Sequence, residues 1–268
     1  MTLLQVSDLV VEYRTRKGPF RAVRGVSFDL PAGETLALVG ESGCGKSSLS
    51  RALMGLTPVA SGSIVFDGRD ITRMPEGQRR VLRRQMQMVF QDPFGSLNPR
   101  KTIGAILEAP LLAAGVRSRA ERLSRVREMI ERVRLPLTAL DRYPHEFSGG
   151  QRQRISIARA LILRPKLVVC DEPVSALDPS IQAQILNLLA EMKRELNLSY
   201  LFISHDMAVV RYFADRVMVM NAGQIVETAS HDSSFWEQPS HPYSQTLLRA
   251  VPSLEDFRGR GDAGSSAG

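Results

Sequence analysis

The chain has 268 residues, of which 43% are hydrophobic and 24% are charged, so its composition is that of a folded globular protein and excludes global disorder. A formal net charge of +7 is compatible with a nucleic acid, an anionic membrane surface or an anionic substrate as partner. No uncharged apolar run approaches the roughly 18 residues of a membrane helix, and no secretory signal pattern opens the chain, so we expect a soluble cytoplasmic protein.

The first residues predict a pair of antiparallel strands. Leu4, Val6, Leu9 and Val11 are spaced for pairing at a sheet edge. A second apolar stretch, over residues 22–30, ends at a Pro-Ala-Gly-Glu turn. Together they indicate an antiparallel β region at the start of the chain.

Four short, almost uninterrupted apolar runs predict strands that are buried on both faces, as in a parallel sheet. These runs are Thr35–Val39, Leu167–Cys170, Tyr200–Ile203 and Val217–Met220. Helical patterns between them cover Lys46–Leu56, Gln151–Leu163 and Ile181–Leu196. The alternation predicts an α/β fold built from β-α-β units.

The middle and the end of the chain show other patterns. Residues 102–140 are helical in pattern and contain no strand-like run, so we interpret them as an α-helical subdomain inserted into the α/β core. The tail, residues 254–268, is rich in Gly, Ser and Asp and has no apolar periodicity, which is typical of disorder.

A glycine-rich segment between the first buried strand and the following helix predicts a phosphate site. Residues 40–47, Gly-Glu-Ser-Gly-Cys-Gly-Lys-Ser, match the Walker A pattern GxxxxGK[ST], and this strand–helix setting favours phosphate binding over a chance glycine turn. Backbone N–H groups converge there on phosphate oxygens, helped by the positive end of the helix. Lys46 is expected to reach the β- and γ-phosphates, and Ser47 to bind Mg²⁺. The predicted nucleotide-binding residues in this segment are Gly40, Glu41, Ser42, Gly43, Cys44, Gly45, Lys46, Ser47 and Ser48.

Two carboxylates follow the buried strand at 167–170. Ligands of α/β sheets bind beyond the carboxyl ends of the strands, so Asp171 is expected to hold the Mg²⁺ shell and Glu172 to accept a proton from, or orient, an attacking water. Taken alone, this pair is equally compatible with a polar strand end or a helix N-cap region. The phosphate loop favours the catalytic interpretation.

The chain has two cysteines and no CxxC or Cys/His cluster, which excludes cysteine-based structural zinc and iron–sulfur sites. Cys44 lies in the phosphate loop next to Lys46 and a helix N-terminus, an environment that lowers thiol pKa. We therefore expect it to be reactive and protected by ATP, although for function a small filler side chain is the simpler interpretation.

Further motifs occur before and after the phosphate loop at 40–47 and the carboxylate pair at 171–172. They are Phe90-Gln91-Asp92, Phe147-Ser148-Gly149-Gly150-Gln151-Arg152-Gln153-Arg154, Ser175-Ala176-Leu177-Asp178 and Ser204-His205-Asp206. They resemble the Q-loop, signature, D-loop and switch histidine of ABC-type ATPases, with Phe147 where that family usually has Leu. The resemblance covers about residues 4–250. It implies an α/β P-loop ATPase core with an antiparallel β subdomain and an inserted α-helical subdomain.

The resemblance implies that ATP and Mg²⁺ bind between two ATPase subunits arranged head to tail. Ser148, Gly149, Gly150 and Gln151 would contact the γ-phosphate of the ATP on the opposite subunit, and a Ser-Gly-Gly turn before a helix does offer donors to an anion. The alternative for these residues is an ordinary helix N-cap.

It also implies roles for single residues. Gln91 would reach Mg²⁺ or the water and couple the nucleotide to the helical subdomain, unless it is a solvated loop residue. His205 would contact the γ-phosphate. The alternative, which is the more common one for an isolated histidine, is a buried or helix-capping side chain. Tyr13 would stack on adenine, with Phe20 as a rival and a half-buried strand tyrosine as the alternative. The expected catalytic residues are then Glu172, His205 and Gln91, and the expected Mg²⁺ ligands are Ser47, Gln91 and Asp171.

Three segments resemble ATP-binding subunits of dipeptide and oligopeptide importers: residues 91–100, residues 143–146 and His241–Leu248. This resemblance implies that ATP hydrolysis energises peptide import, with nickel or glutathione importers as alternatives. It divides the chain into an ABC ATPase domain over 1–253, with a helical subdomain at about 92–163 and a C-terminal element at about 232–253, followed by the tail.

The implied partners are a second ABC ATPase chain that differs from this one, two transmembrane permease subunits and, indirectly, an extracytoplasmic solute-binding protein. The implied location is peripheral, on the cytoplasmic face of the inner membrane, with no nucleic acid bound. A competing hypothesis is a soluble ABC ATPase that acts on nucleic acid, which the basic charge favours and the single cassette without a basic arm disfavours. A third is an inactive regulatory subunit, which would have lost Lys46, Glu172 or His205.

The positive charge is concentrated in one region. Residues 79–154 carry 16 lysines and arginines against 7 aspartates and glutamates. One interpretation is a solvated helix face. The other is that this lobe faces the anionic membrane surface and its docked subunits.

Overall fold

The computed structural model describes residues 1–16, 18–231 and 234–249; the predicted disordered tail and the last residues of the C-terminal element lie outside this part. The strands are β1 Thr2–Thr15, β2 Gly18–Pro31, β3 Thr35–Val39, β4 Ser61–Phe66, β5 Arg69–Asp70, β6 Met86–Val89, β7 Leu167–Asp171, β8 Ser199–Ser204, β9 Arg216–Asn221 and β10 Gln224–Ser230. The α-helices are α1 Lys46–Leu53, α2 Glu76–Leu82, α3 Pro93–Ser96, α4 Ile103–Ala113, α5 Arg119–Arg132, α6 Gly149–Leu161, α7 Pro179–Leu196, α8 Met207–Phe213 and α9 Pro242–Arg249. Short 3₁₀ helices cover Leu137–Asp141, Pro144–Glu146 and Ser234–Trp236.

The strands form two sheets. One is antiparallel, with the order β2-β1-β4-β5. The other has the order β10-β9-β3-β8-β7-β6, in which all neighbours are parallel except the β9–β10 hairpin. The predicted α/β fold with a parallel sheet and a separate antiparallel β region is thereby confirmed.

In strand β1 the apolar pattern moves from even-numbered positions, Leu4 and Val6, to odd-numbered positions, Leu9 and Val11. Leu4, Val6, Leu9 and Val11 are all buried, although strict alternation would turn Leu9 to the opposite face from Val6. Asp8 resolves the conflict, since it has a φ of 47° and the pairing with β2 shifts register between Val6 and Leu9. This β-bulge lets both apolar pairs face the core.

The parallel strands are buried on both faces, as their uninterrupted apolar runs predicted. In β8, Leu201 and Ile203 join the apolar cluster that α1 and the antiparallel sheet share. Tyr200 and Phe202 point the other way, into a cluster formed with helices α4 to α8. Burying each such large apolar side chain contributes about 1.5–3 kcal/mol, so the sheet is the rigid frame to which the strand-end residues are attached.

Helices α1, α6 and α7 confirm three predicted helices with small changes at their ends. α1 stops at Leu53 instead of Leu56, because Gly55 adopts a φ of 69° and glycine in this conformation ends helices. α6 begins two residues earlier than predicted, since Ser148 caps its N-terminus. α7 also begins two residues earlier, at Pro179, because proline fits the first turn of a helix.

The middle of the chain is helical, as expected for residues 102–140. Thr102 caps α4 and Ser118 caps α5, each accepting a hydrogen bond from a backbone N–H three residues on. Val126, Met129 and Ile130 form the buried stripe of α5. The limits of about 92–163 for a helical subdomain remain a prediction. Among residues 1–16, 18–231 and 234–249, no helix is both long and apolar enough to cross a membrane.

Many arginines of the basic region form ion pairs at the surface. Arg125 Nη2 lies 2.5 Å from Glu121 Oε1, and Arg134 Nη2 lies 2.6 Å from Glu191 Oε2. Such pairs add roughly 0–1 kcal/mol each. This part of the positive charge therefore fits the interpretation of a solvated, ion-paired helix face.

Candidate active site

The glycine-rich loop between β3 and α1 has a shape that side chains would disrupt. Gly40 has a φ of 152° and Gly45 a φ of 114°. A Cβ at Gly40 would lie 2.2 Å from the carbonyl oxygen of Met220, and one at Gly45 would lie 2.3 Å from that of Ala22. The backbone can approach its neighbours this closely only with glycine at both positions.

The loop closes around a buried lysine. Lys46 is the first residue of α1 and is 5% exposed. Its Nζ donates hydrogen bonds to the carbonyl oxygens of Gly40 (2.6 Å) and Glu41 (2.8 Å). An ammonium group and the N-terminus of α1 therefore place positive potential at the same point, which is the arrangement that binds phosphate.

Asp171 lies at the end of β7, directly opposite the start of α1. Its Oδ1 accepts a hydrogen bond from Ser47 Oγ (3.3 Å) and its Oδ2 accepts one from Ser50 Oγ (3.4 Å). Burial raises the pKa of the Asp171 carboxyl above its ordinary value, and the nearby Glu172 adds to this, against the opposing effect of the two hydroxyls. Sequence reasoning missed Ser50; its signal is its position one turn after Ser47 on the same helix.

Three predicted site residues, each at the end of a different strand, meet at the carboxylate of Glu172. Gln91 Nε2 donates to Glu172 Oε2 (3.0 Å), and His205 Nδ1 lies 3.3 Å from the same oxygen. The cause is the sheet order, because Gln91, Glu172 and His205 follow the adjacent strands β6, β7 and β8. His205 is exposed, so it is neither a buried nor a helix-capping histidine; Asp206 caps α8.

Glu172 is also held in an uncommon backbone conformation. Its φ is 47°, in the left-handed region that non-glycine residues rarely adopt. Its N–H donates to the carbonyl oxygen of Ile203 (3.0 Å) on the neighbouring strand, which fixes this turn. Conformations of this kind cluster at functional sites, and here it directs the carboxylate towards Gln91 and His205.

The two candidate aromatic stackers lie side by side. Tyr13 of β1 and Phe20 of β2 are cross-strand partners in the antiparallel sheet. The Tyr13 hydroxyl donates to Ser48 Oγ (3.2 Å), which ties it to the start of α1, while Phe20 is half exposed. Of the two, Tyr13 has a hydrogen bond to the segment at 40–48 in the described structure, and its preference as the adenine stacker remains a prediction.

The residues Ser148–Gln151 form a reciprocal capping box at the start of α6. Gln151 N–H donates to Ser148 Oγ (3.3 Å), and Ser148 N–H donates to Gln151 Oε1 (3.0 Å). A Cβ at Gly150 would lie 2.5 Å from Ile181 Cγ2, so glycine is required for packing against α7. Within the described part of the chain, no hydrogen bond joins these residues to 40–48, so the structure brings them together with each other and not with the phosphate loop.

The expectation that the Cys44 environment lowers its pKa is wrong. Cys44 is 8% exposed, and burial raises the pKa of its thiol above the ordinary value, although Lys46 acts in the opposite direction. Cys170 is fully buried in β7, and burial raises its pKa as well. Burial therefore disfavours the thiolate, which is the nucleophilic form, at both positions.

Together these side chains can bind and cleave a phosphate chain. The loop and Lys46 offer positive potential to anionic oxygens, while Ser47 Oγ, Asp171 and the side-chain amide oxygen of Gln91 are the kind of oxygen ligands that Mg²⁺ prefers. Glu172 adds a carboxylate, a group able to accept a proton from water, at the same edge of the sheet. The fold and this site define a P-loop nucleoside triphosphatase.

Comparison with known proteins identifies the family. The sequence profile described as "ABC transporter" matches residues 23–175, and the chain belongs to the ABC transporter family. The oligopeptide transport ATP-binding protein AppF of Bacillus subtilis (strain 168) is 50% identical over 260 residues, which cover 94% of this chain and 78% of AppF. The dipeptide transport ATP-binding protein DppF of Escherichia coli (strain K12) is 49% identical over 258 residues, covering 94% of this chain and 77% of DppF.

Solved structures agree with this assignment. The dimeric post-hydrolysis structure of the ATP-binding cassette MJ0796, bound to ADP and Pi, superimposes with a TM-score of 0.78 and 26% identity, covering 86% of this chain and all of that one. A nucleotide-free ATP-binding cassette from an ABC transporter superimposes with a TM-score of 0.77 and 25% sequence identity, covering 92% of this chain and 98% of that one. The chain is an ABC-type ATPase, which confirms the fold and enzyme class that the motifs predicted.

Asp171→Asn should stabilise the nucleotide-free protein while abolishing its Mg²⁺-dependent hydrolysis. The folded-state pKa of Asp171 is raised, so ionisation opposes folding, and stability is gained as pH falls through that pKa. An uncharged amide removes this cost at neutral pH. We expect the Tm at pH 7.5 to rise by about 2 °C, with a smaller gain at pH 5. The exposed Asp141→Asn is the control, and a lower Tm for Asp171→Asn at pH 7.5 contradicts the prediction.

Proposed function

We propose that this chain is the ATP-hydrolysing subunit of an importer for dipeptides or oligopeptides. The observation that carries hydrolysis is the convergence of Gln91, Glu172 and His205 beside a phosphate loop. The relatives AppF and DppF, both described as peptide transport ATP-binding proteins, support the substrate class. Nickel and glutathione remain the alternative substrates.

In the proposed mechanism, each residue of the site has a separate task. The loop N–H groups and Lys46 hold the phosphates of ATP, and Tyr13 stacks on the adenine. Ser47, Asp171 and Gln91 would hold Mg²⁺, which supplies positive charge to the phosphate oxygens. Charge stabilisation of this kind accounts for most of the acceleration of phosphoryl transfer.

Glu172 and His205 would act on the water and the terminal phosphate. The contacts with Gln91 and His205 both involve Oε2 of Glu172, and we assign to Oε1 the task of orienting the water and taking its proton. His205 is exposed, contacts Glu172 and would donate to the γ-phosphate. Gln91 would report the loss of that phosphate to the helical region that follows it.

A second ATPase subunit would complete the site. Ser148, Gly149 and Gln151 are exposed at the N-terminus of α6, where the Ser148 hydroxyl and the helix end can meet an anion from a partner. The dimeric structure of the cassette MJ0796 supports a dimer, and we propose that its two subunits are arranged head to tail. We propose a partner chain of a different sequence, as the importer resemblance implies.

The assembly would lie on the cytoplasmic face of the inner membrane. Two transmembrane permease subunits would dock on the region after Gln91, and a solute-binding protein outside the membrane would deliver the substrate. The ion-paired arginines weaken the support that net charge gave to a nucleic-acid ATPase. We propose no nucleic-acid partner.

Reconstitution tests this proposal. The chain is co-expressed with a second ATPase chain, two permease subunits and a solute-binding protein from the same organism, and the complex is placed in liposomes. We expect a dipeptide-loaded binding protein to raise ATP hydrolysis several-fold over the ligand-free binding protein. Stimulation by nickel or glutathione alone would replace peptide as the substrate. Stimulation of the isolated chain by RNA or DNA, with no complex formed, would overturn the importer assignment.

A further inference from the structure

A tyrosine near the end of the described chain touches the phosphate loop. The hydroxyl of Tyr243, in α9, accepts a hydrogen bond from the backbone N–H of Glu41 at 2.9 Å. The two residues are 202 positions apart in sequence. Glu41 lies directly after Gly40, at the point where the loop leaves β3.

The start of α9 is fixed by a carboxylate on β10. Glu227 Oε1 accepts from the N–H of Ser240 (2.7 Å), and its Oε2 accepts from the N–H of His241 (3.1 Å). His241 Nδ1 in turn accepts from the N–H of Tyr243 (3.1 Å). A negative group at a helix N-terminus is stabilising, so these bonds hold the first turn of α9 and the tyrosine in place.

The body of α9 is attached by apolar packing. Tyr243, Leu247 and Leu248 pack against a buried cluster that contains Val39 and Val219. Val39 is the last residue of β3 and directly precedes the loop. Consequently the helix is anchored to the strand that supports the loop, as well as to the loop itself.

Both sides of Glu41 are therefore held. Its N–H is bonded to Tyr243, and its carbonyl oxygen accepts from Lys46 Nζ at 2.8 Å. The turn of the β9–β10 hairpin adds a third connection, because the N–H of Gly223 donates to the carbonyl oxygen of Cys44 at 2.8 Å. The outer side of the loop is thus bonded to the C-terminal part of the chain at two points.

We propose that Tyr243 is a positioning residue for the phosphate loop, and that the docking of α9 sets the affinity for ATP. Its hydroxyl bonds the loop backbone and orients the peptide that carries one of the two carbonyl partners of Lys46. Loss of this bond leaves the loop with more conformations, and ATP binding must then select the right one. The inference rests on the proposed role of residues 40–47 as the phosphate site.

The first test is Tyr243→Phe, which removes the hydroxyl and keeps the ring. Losing one such hydrogen bond is expected to weaken ATP binding about 3- to 10-fold, measured with a fluorescent ATP analogue and as the KM for ATP. The kcat should stay unchanged, because Tyr243 acts on the loop and not on the reacting water. The matched control is Tyr212→Phe, whose hydroxyl donates to Asn187 Oδ1 on the surface at 2.5 Å; its KM and kcat should match the wild type.

A second pair of variants loosens the start of α9 without touching the loop. Glu227→Ala removes both acceptor oxygens and should raise the KM for ATP as Tyr243→Phe does. Glu227→Gln keeps one acceptor oxygen and should restore most of the affinity. This conservative rescue distinguishes the position of α9 from a general loss of folding.

The outcomes separate this inference from the function on which it rests. Suppose that the KM for ATP is unchanged in both Tyr243→Phe and Glu227→Ala, while Lys46→Ala no longer binds ATP. This result refutes the role of Tyr243 and leaves the proposed phosphate site intact. A fall in kcat or Tm without a change in KM likewise refutes positioning. If Lys46→Ala binds ATP as the wild type does, the proposed phosphate site itself is wrong.

Discussion

Glu172→Gln is expected to slow ATP hydrolysis by about 10³-fold, within the 10²–10⁴ range of general base catalysis, while ATP affinity stays within about twofold of wild type. The amide has the size of the carboxylate and can still contact Gln91 and His205, so the geometry around Oε2 is kept. It cannot take a proton from water. Single-turnover hydrolysis and equilibrium ATP binding, measured on the same preparation, separate the two effects.

The control for Glu172→Gln is another carboxylate-to-amide change on the surface. Glu191→Gln removes an exposed ion pair with Arg134 and should leave hydrolysis unchanged. If Glu172→Gln hydrolyses ATP at more than a third of the wild-type rate, Glu172 is not the base. A loss of ATP binding in this variant would instead assign Glu172 to the nucleotide contacts.

Lys46→Ala is expected to weaken ATP binding by at least about 100-fold. Hydrogen bonds to a charged group are worth about 1.5–3 kcal/mol each, and the ammonium is the buried positive charge of the loop. Its removal also leaves the carbonyl oxygens of Gly40 and Glu41 without this donor. Isothermal titration with Mg-ATP measures the loss.

Lys193→Ala provides the comparison for Lys46→Ala. Lys193, on α7, has its Nζ 2.5 Å from Oδ2 of Asp215, which directly precedes β9, so its removal should leave ATP affinity unchanged. Equal losses in the two variants would show a general electrostatic effect of net charge. Wild-type affinity in Lys46→Ala would remove Lys46 from the phosphate site.

Features that depend on neighbouring residues were predictable from the sequence. The bounds of β3 are those predicted. A short, nearly continuous apolar run between a turn and a glycine loop is typical of a strand buried on both faces, and all five residues of β3 are buried. The convergence of Gln91, Glu172 and His205 follows from motifs at the ends of adjacent parallel strands. Their expected roles came from the resemblance of the ordered motifs to those of ABC-type ATPases.

Features that depend on packing between distant residues were not predictable. Strand β6 was missed because its four residues, Met86–Val89, include a half-buried glutamine and follow a run of arginines and a glutamine. The pKa of Cys44 was misjudged because its charged neighbours are visible in the sequence and its burial is not. The bond between Tyr243 and Glu41 has no local signal, since it arises from the docking of α9.

The sheet order also has a mechanical consequence. β6 is an edge strand and, among the described strands, pairs with β7 alone, whereas β7 and β8 have neighbours on both sides. Gln91 follows β6 and leads directly into the helical region. Because an edge strand is held by one neighbour only, we expect a displacement of those helices to move β6 before it moves β7 or β8. The expected result is loss of the Gln91–Glu172 hydrogen bond while Glu172 and His205 keep their spacing.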